Sequence, residues 1–157
     1  MNFLELDNIM KYFPVRRGFL RKTVNYVKAA DGISLSMQKS ENLGIVGESG
    51  CGKSTLARII VKLIQPDSGN IIFQGEDLSK YTPNQMRPVR KDIQIVFQDP
   101  YNSLDPRFTV RDIIKEAFIS SVESHRTNQD KKIEELIDVV GLSVDCLSRF
   151  PYELWHD

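Results

Sequence analysis

A glycine-rich segment at residues 47–55, GESGCGKST, restricts the possible folds more than any other part of the sequence. It matches the pattern G-x-x-x-x-G-K-[ST], whose glycines let the backbone wrap tightly enough for its N–H groups to point at phosphate oxygens. An apolar run at 43–46 precedes it, and a stretch with helical periodicity at 56–64 follows it. A buried parallel strand, a phosphate-binding loop and a helix in this order predict an α/β fold of the P-loop type.

The positions of this loop have distinct chemical tasks. The glycines and the N-terminus of the following helix favour an anion, because backbone N–H groups carry partial positive charge there. Lys53 supplies a full charge to the β- and γ-phosphates, Ser54 offers a hydroxyl oxygen to Mg²⁺, and Thr55 reaches the α-phosphate side. The predicted nucleotide-binding residues of the loop are Gly47, Glu48, Ser49, Gly50, Cys51, Gly52, Lys53, Ser54 and Thr55.

The remaining hydrophobic pattern divides the chain into a part with strands and a part without them. Strands are predicted at 2–13, 24–30, 33–37, 43–46, 70–74 and 92–97, with a loop at 14–23. Helices are predicted at 56–64, 83–91 (or a turn), 110–122, 129–140 and 143–150. The change of period predicts a β-subdomain with the P-loop core over 1–104, the start of a helical subdomain over 105–150, and a tail over 151–157.

Composition excludes several classes of protein. The 157-residue chain has 21 basic and 21 acidic residues, and a formal net charge of zero argues against general nucleic-acid binding. No apolar run approaches the roughly 20 residues of a membrane span, and the first residues do not resemble a secretory signal. Two cysteines are too few for a disulfide scaffold or a four-thiolate zinc site. We therefore expect a cytosolic protein, peripheral to a membrane at most.

A phosphate-binding loop indicates a nucleoside triphosphate but does not identify the reaction. A GTPase should carry the guanine-reading pattern N-K-x-D, which the sequence lacks. P-loop ATPases also use an apolar strand that ends in Asp, often followed by Glu. The nearest match, at 95–99, is interrupted by Gln98, and Asp138 lies on a predicted helix. We accept neither as a metal-holding carboxylate.

The sequence resembles the ATP-binding subunits of ABC transporters. LGIVGESGCGKSTLAR at 43–58 is similar to the Walker A region of that family, SGNIIFQG at 68–75 to the strand after its helix, and IVFQDP at 95–100 to its Q-loop. Four further segments are similar to the oligopeptide/dipeptide importer branch, and there to its second ATP-binding subunit: YFPVRRG, TVNYVKAADGISL, VFQDPYNSLDPR and ELIDVVGL. The resemblance covers residues 2–154.

This resemblance implies roles for residues outside the loop. Gln98 would ligate Mg²⁺ together with Ser54 and would sense the γ-phosphate, so that Lys53 and Gln98 are the implied catalytic residues. Tyr26 would stack its ring on adenine, although packing on a strand face is the alternative. The implied cofactors are therefore ATP and Mg²⁺.

The resemblance also implies a biological role. It indicates the ATP-binding component of a peptide importer, coupling ATP binding and hydrolysis to transport across the membrane. Its implied partners are a second ATP-binding subunit, membrane permease subunits and, indirectly, an extracytoplasmic peptide-binding protein. Its implied location is the cytoplasmic face of the cell membrane, as a peripheral protein. The sequence leaves open whether a dipeptide, an oligopeptide or a metal is transported.

The end of the sequence departs from the family. There the stretch FPYEL continues into a Ser-Gly-Gly-Gln signature, whereas here it continues as Trp155, His156 and Asp157. The signature, the acidic strand and the switch His are missing, so we expect a truncated chain that does not sustain hydrolysis alone. The alternatives are a non-catalytic nucleotide-binding remnant and another P-loop enzyme such as a small-molecule kinase. The kinase would need an Arg-rich lid, and residues 105–150 contain only scattered arginines.

Overall fold

A computed structural model of the chain describes residues 2–18, 22–98, 103–119 and 129–155. The chain forms two compact units, Met1–Ile95 and Val96–Asp157. The first unit contains the described strands and two helices. The described secondary-structure elements of the second unit are all helices.

The first unit is built on an antiparallel sheet with the strand order β2-β1-β3-β4. The strands are β1 (Leu4–Arg17), β2 (Lys22–Met37), β3 (Ser68–Phe73) and β4 (Glu76–Asp77). β1 and β2 pair along their whole length as a hairpin, whereas β3 pairs with β1 only over Leu4–Met10. Half of the hairpin therefore extends beyond the rest of the sheet.

Two predictions for this hairpin were wrong. The loop predicted at 14–23 is mostly strand, because the β1 and β2 ladder continues to the pair Arg17 and Lys22. The two strands predicted at 24–30 and 33–37 are one strand, because Gly32 is absorbed as a bulge with φ 73°. Glycine takes this left-handed conformation without the steric cost of a Cβ atom.

The core of the first unit lies between the sheet and two helices, α1 (Lys53–Ile60) and α2 (Pro83–Val89). A capping box begins α2, since the Thr82 and Gln85 side chains each bond to the other's backbone N–H. The sheet and helices bury a common set of apolar side chains: Leu6, Ile9, Leu56, Ile59, Ile71, Leu78 and Met86. This burial holds α1, and with it the end of the glycine-rich loop, against the sheet.

Two further predicted strands, at 43–46 and 92–97, are not formed. Segments 43–46 and 92–97 have no strand structure, and Val46 and Val96 are 93% and 92% exposed. A strand needs a neighbour for its N–H and C=O groups. No described segment pairs with either run, so an apolar sequence alone does not make these residues a buried strand.

The second unit packs α3 (Val110–Ile119) and α4 (Gln129–Val139) on a 3₁₀ helix at Val144–Ser148, followed by another at Pro151–Trp155. Its buried residues are Ile133, Ile137, Cys146 and Leu147. Asp130 joins the two α-helices through ion pairs with Arg111 (2.8 Å) and Lys115 (3.1 Å). No helix among the described residues is long and apolar enough to cross a membrane.

Candidate phosphate-binding site

The glycine-rich loop curls around the ammonium group of Lys53. The Lys53 Nζ atom donates hydrogen bonds to the carbonyl oxygens of Gly47 and Glu48, both at 2.6 Å, and lies 3.4 Å from Cys51 Sγ. The Cys51 N–H group donates to the Glu48 carbonyl at 3.3 Å, which closes a turn inside the loop. The loop is therefore a compact bend whose centre is reached by a positive charge.

At the end of this loop, only glycine fits at position 52. Its φ of 100° lies in the left-handed region, and it is the N-cap residue of α1. A Cβ atom on Gly52 would lie 2.0 Å from the carbonyl oxygen of Ala29, which is a backbone atom of β2. Any other residue would push the loop away from the sheet, so this glycine allows close packing as well as the left-handed turn.

The first turn of α1 is open to an anion. Gly52 provides no side-chain cap, and the turn contains no acidic residue. The unpaired N–H groups of a helix N-terminus attract negative charge. Ser54 is exposed and Thr55 is half-buried in this turn. With the Lys53 ammonium beside them, these groups suit a phosphate tail.

The site suits Mg²⁺ only as an ion shared with a phosphate ligand. No cluster of three or more His, Cys, Asp or Glu residues occurs in the described part of the chain. Magnesium keeps several waters and is usually held by one or two protein oxygens plus substrate phosphates. The exposed hydroxyl of Ser54 is a suitable oxygen of this kind.

The two implied site residues outside the loop lie in different units. Tyr26 is on β2 opposite Pro14, and its side chain is 57% exposed, so the ring is available for stacking. Gln98 is also exposed, but it belongs to the second unit. Asp99 and Pro100, which belong to the resemblance to the Q-loop, lie outside the described residues. The structure therefore brings Tyr26 and the loop into one unit and leaves Gln98 in the other.

Sequence reasoning missed a polar cluster on the hairpin of the same unit as the loop. The Tyr12 hydroxyl donates to Asp31 Oδ1, and Lys28 Nζ donates to Asp31 Oδ2 at 2.9 Å. The hydrogen bond from Tyr12, and then the one from Lys28, lowers the pKa of the Asp31 carboxyl, while the same bond to Asp31 raises the pKa of Tyr12. The segment KAADG at 28–32 interrupts the strand alternation and was the available signal.

The family model described as "ABC transporter" matches residues 30–153, which is most of the chain. The chain is 48% identical over 151 residues to the oligopeptide transport ATP-binding protein AppF of Bacillus subtilis, covering 96% of this chain and 46% of that protein. It is 39% identical to the oligopeptide transport ATP-binding protein OppF of Lactococcus lactis, with 96% and 47% covered. It is 36% identical to the dipeptide transport ATP-binding protein DppF of Escherichia coli, with 95% and 44% covered. The chain thus spans about half the length of these relatives.

Solved structures agree on the fold. The dimeric structure of the bacterial ABC transporter cassette MJ0796 matches with a TM-score of 0.73 at 22% identity, covering 96% of this chain and 62% of that one. A post-hydrolysis dimer of the same cassette, bound to ADP and Pi, also matches with a TM-score of 0.73. The predicted P-loop fold class is confirmed.

Proposed function

This chain belongs to the ABC transporter family, and from that premise we propose that it forms the phosphate-binding part of an ATP-binding subunit of a peptide importer. Relatives that cover nearly all of it are named as oligopeptide or dipeptide transport ATP-binding proteins. The function proposed for the whole subunit is to couple ATP binding and hydrolysis to import.

The observation that carries this proposal is the bend of the loop around Lys53. Two carbonyl oxygens hold the ammonium group at 2.6 Å, and the adjacent helix N-terminus has no acidic or capping side chain. A triphosphate tail would replace the carbonyls as the partner of Lys53, because a charged acceptor forms the stronger hydrogen bond. The backbone N–H groups of the loop and of the first turn would bind the remaining phosphate oxygens.

We assign the nucleotide as ATP with Mg²⁺. Bound Mg²⁺ would neutralise developing negative charge on the phosphates. Ser54 would provide one protein oxygen and Gln98 another, while Lys53 would bind the β- and γ-phosphates. Tyr26 would stack on adenine, which its exposed position on the same unit supports. The other residues at 47–55 would wrap the phosphates.

In the complete importer we propose a peripheral location on the cytoplasmic face of the membrane. Its partners would be a second ATP-binding subunit and membrane permease subunits, with an extracytoplasmic peptide-binding protein acting through the permeases. Residues 1–104 would form the nucleotide-binding β-subdomain with the P-loop core, and 105–150 the helical subdomain.

The direct test is binding of MgATP to the purified chain by calorimetry. We expect measurable affinity that Lys53→Ala lowers by about 10- to 100-fold, since charge-assisted hydrogen bonds contribute about 1.5–3 kcal/mol each. Lys80→Ala is the matched control, because Lys80 is an exposed lysine outside the loop. Equal affinities for the unmodified chain and Lys53→Ala would contradict the proposal.

A second candidate is nucleotide binding without turnover. It is the alternative that the sequence leaves open. A phosphate-release assay distinguishes the two functions. We expect binding without sustained release from this chain alone, and robust release that Lys53→Ala abolishes would exclude the second candidate.

A further inference from the structure

Strand β2 connects the two ends of the proposed nucleotide site. It carries Tyr26, and three residues later it carries Ala29, whose carbonyl oxygen abuts Gly52 of the loop. Three residues of strand span about 10 Å. The conformation of this short stretch therefore sets the spacing between the stacking ring and the phosphate-binding loop.

The stretch contains a β-bulge at Ala29. Lys11 pairs with Ala30 and Tyr12 pairs with Lys28, so that Ala29 stands opposite no residue of β1. A bulge leaves one residue out of the ladder and bends its strand. The residue left out here is the one whose carbonyl oxygen packs against Gly52.

Three side chains hold the two sides of the bulge together. Asp31 accepts hydrogen bonds from the Tyr12 hydroxyl and from Lys28 Nζ, and Lys28 Nζ lies 5.3 Å from the centre of the Tyr12 ring. In a regular strand, residues 28 and 31 would face opposite sides of the sheet. The extra residue brings both to the side of Tyr12. The bulge thus permits this contact, and the contact in turn favours the bulge.

We propose that Tyr12, Lys28 and Asp31 are positioning residues that hold the bulge at Ala29 and so fix the distance between Tyr26 and the phosphate-binding loop. This inference rests on the proposed function, because it concerns the same nucleotide site. ATP contacts both ends of the site and depends on that distance. Inorganic tripolyphosphate would contact the loop alone, so its binding does not depend on that distance.

The test compares the affinities of MgATP and magnesium tripolyphosphate for the full chain and its variants. Tyr12→Phe and Asp31→Ala should each weaken ATP binding by about three- to tenfold, the usual range for one net hydrogen bond. Tripolyphosphate binding should stay within about twofold by the same scale. The double variant should lose little more than either single variant, because both remove the same contact.

A matched control is available in the same unit. The Tyr81 hydroxyl donates to Glu76 Oε2 at 2.9 Å, away from β2. Tyr81→Phe removes the same type of bond and should leave both affinities unchanged. Lys28→Arg keeps the cation and should retain most of the ATP affinity. If Asp31→Ala does not fold, Tyr12→Phe and the nearly isosteric Asp31→Asn replace it.

Two results with Tyr12→Phe would overturn the positioning role. One is an equal loss of affinity for ATP and for tripolyphosphate, which indicates a general loss of structure. The other is an unchanged affinity for ATP. Tyr26→Ala should remove the preference for ATP over tripolyphosphate, and an unchanged preference would also count against it. Lys53→Ala identifies failure of the proposed function itself. If the proposed function is right, Lys53→Ala lowers the affinity for both ligands. If it does so while Tyr12→Phe leaves both affinities unchanged, only the positioning role is wrong.

Discussion

The two units of this chain bury their apolar residues by different means. In the first unit, strands far apart in sequence pair and cover a core that Ile9, Ile59 and Ile71 fill without any exposure. In the second unit, two α-helices and a 3₁₀ helix enclose a smaller cluster around Ile133 and Leu147. A small core leaves little surplus over the entropy cost of folding.

The two units also differ in where their apolar side chains are exposed. In the second unit Val139, the last residue of α4, is 82% exposed and lines an open groove of about 320 Å³ together with Phe118 and Leu136, and Val140, which follows α4, is 65% exposed. In the first unit, most of the apolar exposure lies on the extended hairpin and on the unpaired run at 43–46. The glycine-rich loop follows that run and belongs to the unit with the larger core.

The largest expected effect tests whether the two cores are independent. Ile59→Ala and Ile133→Ala each truncate a fully buried side chain. Each should lower the free energy of unfolding by about 2–5 kcal/mol. Hydrogen exchange should show β1 and β3 losing protection in the first variant and α4 losing it in the second. Loss of protection in both units from either variant would mean that they unfold together.

A pair of glycines compares backbone packing in the two units. Gly52 and Gly141 both have positive φ, 100° and 75°, but an added Cβ meets a carbonyl oxygen at the first and nothing within 4 Å at the second. Gly52→Ala should lower the free energy of unfolding by about 2–4 kcal/mol, because of the left-handed backbone and the clash. Gly141→Ala should cost about 1–2 kcal/mol. Thermal unfolding measures both, and equal costs would show that the loop moves away from Ala29 freely.

The two cysteines provide a chemical comparison. Cys51 is exposed in the loop and Cys146 is buried in the second unit, so a maleimide should label Cys51 first. The added bulk should block nucleotide binding. MgATP at ten times its Kd should slow the labelling about tenfold by mass action. Cys51→Ser gives the background rate. A labelled chain with unchanged ATP affinity would show that Cys51 faces away from the nucleotide.

The smallest effect concerns a surface ion pair in the second unit. Two hydrogen bonds from the Arg107 guanidinium, and then one from its backbone N–H, lower the pKa of Asp105 from 3.8 to about 2. Since the pKa is lowered by folding, the contribution to stability is present above pH 4 and is lost as the pH falls toward 2. Carboxyl-carbon NMR should record this pKa, and Arg107→Ala should return it toward 3.8. An unchanged value in the variant would assign the shift to another cause.

Much of the fold was predictable because helices depend on local sequence. The helices predicted at 110–122 and 129–140 are formed at Val110–Ile119 and Gln129–Val139, with residues 120–122 outside the described part of the chain. Thr109 and Asp112 cap the first of them, since the side chain of each accepts a hydrogen bond from the other's backbone N–H group. The strands at 2–13 and 70–74 are also confirmed in position. Those at 43–46 and 92–97 are not, because a strand forms only where another segment supplies hydrogen-bond partners.

The candidate site was likewise predictable only where it depends on consecutive residues. The loop residues and Lys53 follow from spacing alone, since their chemistry is contained in nine consecutive positions. The packing of Ala29 on Gly52 and the contact of Tyr12 with Asp31 join residues 23 and 19 positions apart. The split between the predicted strands was placed at residues 31–32, whereas the bulge at Ala29 that allows both contacts lies inside the first predicted strand, 24–30.

By itself the sequence determined the glycine-rich loop pattern, the positions of most helices and, through its resemblance, the family. The tertiary structure alone decided that the run at 43–46 lies unpaired, that Ala29 leaves the β1 ladder to meet Gly52, and that Tyr26 shares a unit with the loop while Gln98 does not. Turns and helices draw their hydrogen bonds from nearby residues. Sheet pairing and the close approach of two backbones depend on residues that the chain brings together only when it folds.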